Sequence, residues 1–261
     1  MLVDAHAHLD EVSMANFVKT LSENEPDFVV ITNSVDAESS FRNLELAEKS
    51  ARIIPFVGIH PESFLKIRNE GSIGDRMETS LEKVSKVSLR SAGIGEIGID
   101  PKYGSEKDQE SLFRSLLSSC EKTGLPVSIH SRNSVSKIIQ ILSTFNLRGS
   151  ILFHWFAGSE QELDKLGENG IYVSYGPSII NSKRMRSLVY KSDLEFILAE
   201  TDSPTPFNSL NEGIGTPFLV GSVVFEIGLI KKIRFEEMRD ILNENVFRYL
   251  GTQTSLRVKS K

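Results

Sequence analysis

The chain has 261 residues, of which 39% are hydrophobic and 25% are charged, proportions that support a sizeable core and argue against a largely disordered chain. Thirty lysines and arginines against 35 aspartates and glutamates give a net charge of −5, which argues against a generally basic protein that coats nucleic acid. Cys120 is the only cysteine, so the sequence excludes an intramolecular disulfide, a cysteine-rich zinc site and an iron–sulfur cluster.

The N-terminal residues, Met-Leu-Val-Asp-Ala-His-Ala-His, lack the basic lead and apolar core of an export signal. The most membrane-like stretch, 218–230, contains Glu226 and is shorter than the ~20 apolar residues that span a bilayer. Together with the single cysteine, these features predict a cytoplasmic protein that does not enter a membrane. We expect 218–230 to form a buried helix.

Eight short runs rich in valine, isoleucine and phenylalanine each predict a buried β-strand. In chain order they cover 2–8, 28–34, 53–60, 92–100, 126–130, 151–156, 171–175 and 196–202. Helical spacing of apolar residues separates them, and a last amphipathic helix ends at Leu250. This alternation predicts a parallel sheet covered by helices. We expect one domain over 1–251, followed by a basic C-terminal tail over 252–261.

Polar residues at the carboxyl ends of the predicted strands distinguish an open sheet from a closed barrel. They are His6 and His8 on the first strand, His60 on the third, Glu96 on the fourth, His130 on the fifth, His154 on the sixth and Asp202 on the eighth. Only closure makes the first and eighth strands neighbours and brings all of these groups to one mouth. The sequence therefore predicts a single (β/α)8 TIM barrel of the metal-dependent hydrolase type.

The residue types at this mouth favour a pair of divalent metal ions. His6 and His8 are two apart on a strand, so both side chains point to the same side. Six groups form a plausible pair of sites, with one ion on His6, His8 and Asp202, the other on His130 and His154, and Glu96 bridging both. Two cations ~4 Å apart suit hydrolysis. The pattern does not distinguish among magnesium, manganese and zinc as the bound ions.

Residues 93–98 also match the G-x-G-x-x-G pattern of dinucleotide-binding folds. In those folds the glycines lie between a strand and the start of a helix. Here Ile99-Asp100-Pro101 follows, so the chain continues extended and then reaches a helix breaker. We interpret the match as coincidental and expect the glycines to leave room around Glu96.

Six segments, in order along the chain, resemble the motifs of the TatD family of metal-dependent deoxyribonucleases. They are His6-Ala-His8, Gly58-Ile-His60-Pro61, Gly95-Glu96-Ile-Gly98-Ile-Asp100, Ile129-His130, His154-Trp-Phe-Ala-Gly158 and Glu200-Thr-Asp202-Ser-Pro204. Each segment is weak alone, but the combination is specific. The resemblance implies a TIM barrel of the amidohydrolase type with two divalent ions and magnesium-supported activity.

The resemblance also implies a role for each matching position. One ion would be bound by His6, His8, Glu96 and Asp202, and the other by Glu96, His130 and His154. His60 would face the substrate phosphate. Asp202 would accept a proton from the attacking water, and Arg132, two residues beyond His130, is placed to neutralise phosphate charge.

Departures from the family pattern lie in loops beside the predicted site. Trp155 and Ala157 stand where the family often has cysteine and serine, and Lys102 stands in an altered segment after Asp100. No arginine follows Pro204 where the family usually has an Arg-Asn-Glu-Pro loop. Trp155 is open to two interpretations, stacking on a base or packing against loops. For Lys183, Arg184 and Arg186 we expect a solvated helix face.

The sequence favours a hydrolase that cleaves phosphodiester bonds in DNA or in a smaller substrate. One alternative is a small-molecule amidohydrolase that acts on an ester, lactone or amide. Many such enzymes bridge their metals with a carboxylated lysine on the fourth strand, a position that Glu96 takes here. The other alternative is a metal-binding module without catalysis, which would not require His60 beside a full set of ligands. We expect no obligate protein partner.

Overall fold

The computed structural model describes residues 1–24, 27–63, 73–206 and 213–251. The predicted tail over 252–261 and part of the loop after Pro204 lie outside these residues. Lys66 and Arg68, two cations that follow the third predicted strand, also lie outside them. Eight strands are present: β1 Leu2–Ala7, β2 Phe28–Thr32, β3 Ile53–Val57, β4 Gly93–Gly98, β5 Val127–His130, β6 Ile151–Phe153, β7 Tyr172–Tyr175 and β8 Ile197–Ala199.

The strands form one parallel sheet in chain order, each paired with its neighbour from β1 to β8. The sheet curls until its two edges meet. The Asp202 N–H donates to the His6 carbonyl at 2.9 Å, and the His8 N–H donates to the Ser203 carbonyl at 2.7 Å. These bonds close the barrel, and the predicted (β/α)8 TIM barrel is confirmed.

Helices cover the outside of the barrel between successive strands. They are α1 Ala15–Asn24, α2 Ala37–Lys49, α3 Ile73–Ser88, α4 Glu106–Thr123, α5 Val135–Leu142, α6 Glu160–Glu168, α7 Lys183–Lys191, α8 Val220–Lys231 and α9 Phe235–Leu250. Side chains cap several of their first turns. Asp36 accepts the Ser39 N–H ahead of α2, and Ser159 and Glu162 form a capping box at α6.

The core has two layers, one between the strands and the helices and one inside the barrel. Cys120 lies in the outer layer on α4 and is 1% exposed, as its apolar spacing predicts. Alternate residues of a strand face the same side, so each strand carries an inward row. In β6 and β8 that row changes from apolar to polar toward the carboxyl end, from Leu152 to His154 and from Leu198 to Glu200. The inside of the barrel is therefore apolar toward the amino ends of these strands and polar at the mouth, where their carboxyl ends lie.

The helix predicted over 218–230 is present as a short 3-10 turn followed by α8, but it is buried on one side only. Val220, Val223 and Ile227 are buried, whereas Phe225 and Leu229 are 50% and 53% exposed. The prediction of a buried helix was therefore wrong for its outer face. In the described part of the chain no helix is long and apolar enough to cross a membrane.

The G-x-G-x-x-G match lies inside β4, and no helix begins there. The interpretation of this match as coincidental is confirmed, because a dinucleotide site needs a turn and a helix N-terminus. A Cβ on Gly95 would lie 2.6 Å from Asn33 Oδ1 and 2.8 Å from Ser128 Cβ. Glycine at this position lets the neighbouring polar groups approach the strand beside Glu96.

Candidate metal centre

A cavity of about 990 Å³ opens at the carboxyl ends of the strands. All seven polar residues that the sequence placed at strand ends meet at its base or in its wall. Several of them lie just beyond the strands, because the hydrogen-bonded ladder ends earlier than the apolar runs predicted. His60, His154 and Asp202 follow β3, β6 and β8 in this way. Their side chains are thereby free to turn into the mouth.

Glu96 lies at the centre of the group and is 2% exposed. Its Oε2 atom is 3.3 Å from Nε2 of both His6 and His8. Its Oε1 atom is 2.7 Å from His154 Nε2 and 2.8 Å from His130 Nδ1. The two carboxylate oxygens therefore face two different sets of imidazoles, which is the arrangement of a bridging ligand.

Asp202 adds a second carboxylate on the side of His6 and His8. Its Oδ1 atom is 3.3 Å from His8 Nε2 and 3.7 Å from His6 Nε2. The Thr205 hydroxyl donates to its Oδ2 atom at 3.1 Å. Asp202 has a φ of 52°, a left-handed conformation that is uncommon for a residue other than glycine and recurs at functional sites.

The outer ring nitrogens of three histidines are held by neighbouring oxygens. His8 Nδ1 donates to the Asn33 carbonyl at 3.0 Å, and His130 Nε2 lies 2.9 Å from Asp100 Oδ2. His6 Nδ1 lies 3.0 Å from the Ser128 hydroxyl. Such partners fix the ring orientation and leave the other nitrogen aimed at the centre, as in metal-binding histidines.

His60 has the opposite hydrogen-bonding pattern. Its Nδ1 atom accepts the Glu62 N–H at 3.1 Å, so in the neutral ring the proton is on Nε2. That nitrogen lies 3.3 Å from Glu96 Oε1. In this tautomer His60 donates a hydrogen bond into the mouth and has no lone pair there for a metal ion.

The carboxylates and imidazoles of the centre perturb one another strongly. Burial raises the pKa of Glu96, but His154 and His60 outweigh this effect and hold the pKa well below its usual range. Burial lowers the pKa of His8, but Asp202 and Glu96 raise it well above the ordinary value. Glu96 is consequently ionised at neutral pH and holds a full negative charge among the imidazoles.

These groups fit divalent cations. His6 Nε2 is fully buried, and no hydrogen bond within the described residues satisfies it, although a buried ring nitrogen normally has a partner. Two sets of nitrogen and carboxylate atoms each lie within 4.8 Å of one another: His6, His154 and Asp202; and His6, His8 and Glu96. His60, Glu96 and His130 are equally close, but there His60 presents an N–H rather than a lone pair. Imidazoles with carboxylates suit zinc and manganese and also admit magnesium.

The sequence did not predict the roles of two carboxylates, Asp100 and Glu200, that lie beside His130 and His154. Asp100 holds the outer nitrogen of His130 at 2.9 Å. Glu200 accepts the Trp155 N–H at 2.7 Å and lies 3.6 Å from His154 Nδ1. Both belong to the motif segments around Glu96 and Asp202, which is the signal that could have identified them.

The wall of the cavity carries two arginines. Arg132 is exposed, and within the described part of the chain no hydrogen bond or ion pair engages its guanidinium. Lys183 and Arg184 are both exposed, as expected for a solvated helix face, and Arg184 also lines the cavity. Arg186 instead pairs with Glu226. Lys102 lies over the Tyr103 ring and does not line the cavity.

Comparison with known proteins gives one consistent result. The sequence model described as TatD related DNase matches residues 3–251. An uncharacterized metal-dependent hydrolase of Methanocaldococcus jannaschii is 27% identical, with 95% of this chain and 96% of that protein covered. Deoxyribonuclease TATDN3 of Homo sapiens is 25% identical, with 95% and 93% covered. The crystal structure of YjjV, a TatD homologue of Escherichia coli, has a TM-score of 0.83 at 23% identity, with 95% and 97% covered.

Proposed function

The chain belongs to the TatD-related DNase family of metal-dependent hydrolases, and from that premise we propose that it cleaves phosphodiester bonds in DNA with two divalent cations. The observation that carries the proposal is the position of Glu96. Its two oxygens face separate sets of imidazoles, as a carboxylate that serves two ions would. The human relative's name, a deoxyribonuclease, supports the choice of substrate.

The expected ligands divide between the two sides of Glu96. His6, His8 and Asp202 would hold one cation, and His130 and His154 the other. Magnesium, manganese and zinc are the candidate ions. When bound, such cations supply Lewis-acid polarisation of a phosphate and favour the ionisation of water.

The chain's own groups are assigned the remaining tasks. Burial raises the pKa of Asp202, but His8 lowers it below the ordinary value, so its carboxylate is ionised and can accept a proton from the attacking water. His60 donates its Nε2–H to a phosphate oxygen. Arg132, whose guanidinium has no partner among the residues that the structure describes, neutralises charge that develops on the phosphate.

Substitution of the proton acceptor tests the mechanism. Asp202→Asn is expected to fold normally and to lower the cleavage rate of single-stranded DNA by about 10²- to 10⁴-fold, as followed by gel assay with each metal. Asp164→Asn is the matched control, because Asp164 is exposed on α6 away from the cavity. Near-normal turnover of Asp202→Asn would overturn the assignment of Asp202.

A substrate panel tests the reaction class. Wild-type protein is compared on single-stranded DNA, RNA, dinucleotides, simple phosphoesters, lactones, esters and amides. Cleavage of the DNA and dinucleotide members is the expected result. Cleavage confined to lactones, esters or amides would replace the proposed phosphodiesterase with a small-molecule amidohydrolase.

A further inference from the structure

Trp155 is the only tryptophan in the chain, and it lies beside the metal centre. It directly follows His154 at the end of β6, and its half-buried side chain lines the cavity. Its φ is 43°, a left-handed conformation that a bulky residue rarely adopts and that the surrounding structure must hold in place.

The backbone on both sides of Trp155 is braced. The Trp155 N–H donates to Glu200 Oε1 at 2.7 Å, and the next N–H, of Phe156, donates to the Ser174 carbonyl at 3.0 Å. Arg184 donates to the carbonyls of Ala157 and Gly158 at 2.6 and 2.7 Å. Little conformational freedom is therefore lost when a ligand contacts this segment.

The indole ring of Trp155 packs against Gly176, which has no side chain. A Cβ on Gly176 would lie 2.7 Å from Cζ3 of Trp155, so glycine at the end of β7 makes room for the ring. No acceptor among the described residues takes the indole N–H, and the atom is not among the buried unpaired ones. The protein therefore holds the ring in place, while the indole N–H remains available to solvent or a ligand.

We propose that Trp155 forms a subsite for a nucleobase, on which an unpaired base of the substrate stacks while its phosphate lies at the metal centre. The proposal rests on the phosphodiesterase function above. A flat indole and the two arginines of the cavity wall, Arg132 and Arg184, match a ligand with an aromatic ring and a phosphate. The base must be unpaired, because a base within a duplex already stacks on both faces.

The fluorescence of the single tryptophan reports occupancy of this subsite directly. Asp202→Asn protein, which leaves the oligonucleotide uncut, is titrated with a single-stranded trinucleotide and with the same trinucleotide lacking its central base. We expect the base-bearing trinucleotide to quench the tryptophan saturably and to bind about 5- to 150-fold more tightly than the abasic one. Equal quenching and equal affinity for the two ligands would overturn the subsite.

Substitutions separate stacking from a purely structural role. In catalytically intact protein, Trp155→Leu is expected to raise KM for the base-bearing trinucleotide toward that of the abasic one. Trp155→Phe, which keeps a ring, restores part of the difference. Phe225→Leu on the half-exposed outer face of α8 is the control and leaves the ratio unchanged. An equal KM rise for both substrates in Trp155→Leu would contradict stacking.

The measurements distinguish an error in the proposed base subsite from an error in the proposed phosphodiesterase function. If wild-type protein cleaves no phosphodiester but the tryptophan is quenched only by base-bearing ligands, the function is wrong and the base subsite stands. If wild-type protein cleaves both trinucleotides with one KM and shows no base-dependent quenching, the subsite is overturned and the function stands.

Discussion

At the scale of single residues, the behaviour of each imidazole depends on which ring nitrogen carries the proton. In its neutral form His8 donates from Nδ1 to a carbonyl, so its Nε2 presents a lone pair to the centre. His60 accepts at Nδ1, so its Nε2 presents a proton. Two histidines at the same distance from Glu96, 3.3 Å, therefore present different groups to the centre, a lone pair and an N–H.

This difference predicts distinct effects of substituting the two histidines. His8→Gln should weaken metal binding by at least about tenfold, because it removes a ligand. His60→Gln should retain wild-type metal content and lose about 10²- to 10³-fold in turnover, because it removes a donor to the phosphate. Elemental analysis and calorimetric titration measure the first effect, and steady-state kinetics measures the second. Equal metal loss in both variants would show that His60 is a ligand.

The meeting of these polar side chains was predictable from the sequence, but their tautomers and supporting partners were not. Parallel strands in a closed barrel bring their carboxyl ends together, so polar residues at those ends had to meet. The pairing of Asp100 with His130 joins residues 30 positions apart, one just beyond β4 and the other at the end of β5. It depends on side-chain direction beyond the strand ends, which periodicity does not report.

At the scale of elements, closure of the barrel between β1 and β8 is reinforced by a buried side chain. The Asp4 carboxylate accepts the Thr201 N–H at 3.0 Å and the Thr201 hydroxyl. Both residues are almost fully buried, so a lost donor could not be replaced by water. The same segment ends in Asp202, so this contact links barrel closure to the position of the predicted general base.

Thr201→Val is therefore expected to destabilise the fold. Valine has the shape of threonine without its hydroxyl, so the substitution removes the hydrogen bond to the buried carboxylate together with the hydroxyl's contacts to the Ser203 hydroxyl and N–H. We expect the free energy of unfolding to fall by about 1–3 kcal/mol. Urea denaturation followed by circular dichroism measures the change. The control is Thr20→Val, whose hydroxyl bonds only within α1 at the surface and whose loss costs at most about 0.5 kcal/mol. Equal stability of the two variants would show that the Asp4 contact does not support closure.

The number and order of the strands were predictable, whereas their lengths and the exposure of α8 were not. The apolar run over 53–60 continues past the end of β3 at Val57, because Ile59 remains buried after the ladder ends. Apart from Ser222 and Glu226, residues 218–230 are apolar and show no clear helical period. Such a pattern predicts a helix but does not show which face is covered.

At the scale of the whole molecule, the described part of the cavity wall has fewer cationic than acidic side chains. In the described part of its wall, Arg132 and Arg184 accompany Glu11, Glu62 and Glu162. A long, densely charged nucleic-acid backbone would meet more repulsion than attraction outside the centre. This charge distribution suits one or two phosphates and agrees with the net charge of −5.

The affinity for oligonucleotides should accordingly depend weakly on salt. With two arginines engaged, a plot of log affinity against log salt concentration has an expected slope of about −1.4 for a single strand. Arg132→Gln should reduce the slope by about 0.7. Arg148→Gln, at an exposed site ahead of β6 at the other end of the barrel, should leave it unchanged. Fluorescence anisotropy measures the slope, and a value steeper than about −4 would indicate contacts along an extended strand.

Because the candidate metal centre contains residues from both ends of the barrel's sequence, it can form only after almost the whole barrel has been synthesised. His6 and His8 come from the first strand, whereas Asp202 follows the last and is positioned by the bond from its N–H to the His6 carbonyl. Asp4 and Thr201, which join the same two strands, are 197 residues apart. At about 5–20 residues per second, roughly 10–40 s separate the emergence of these two ends from the ribosome. A nascent chain therefore carries the first of the proposed metal-binding histidines long before it has Asp202, the carboxylate that would complete the proposed centre.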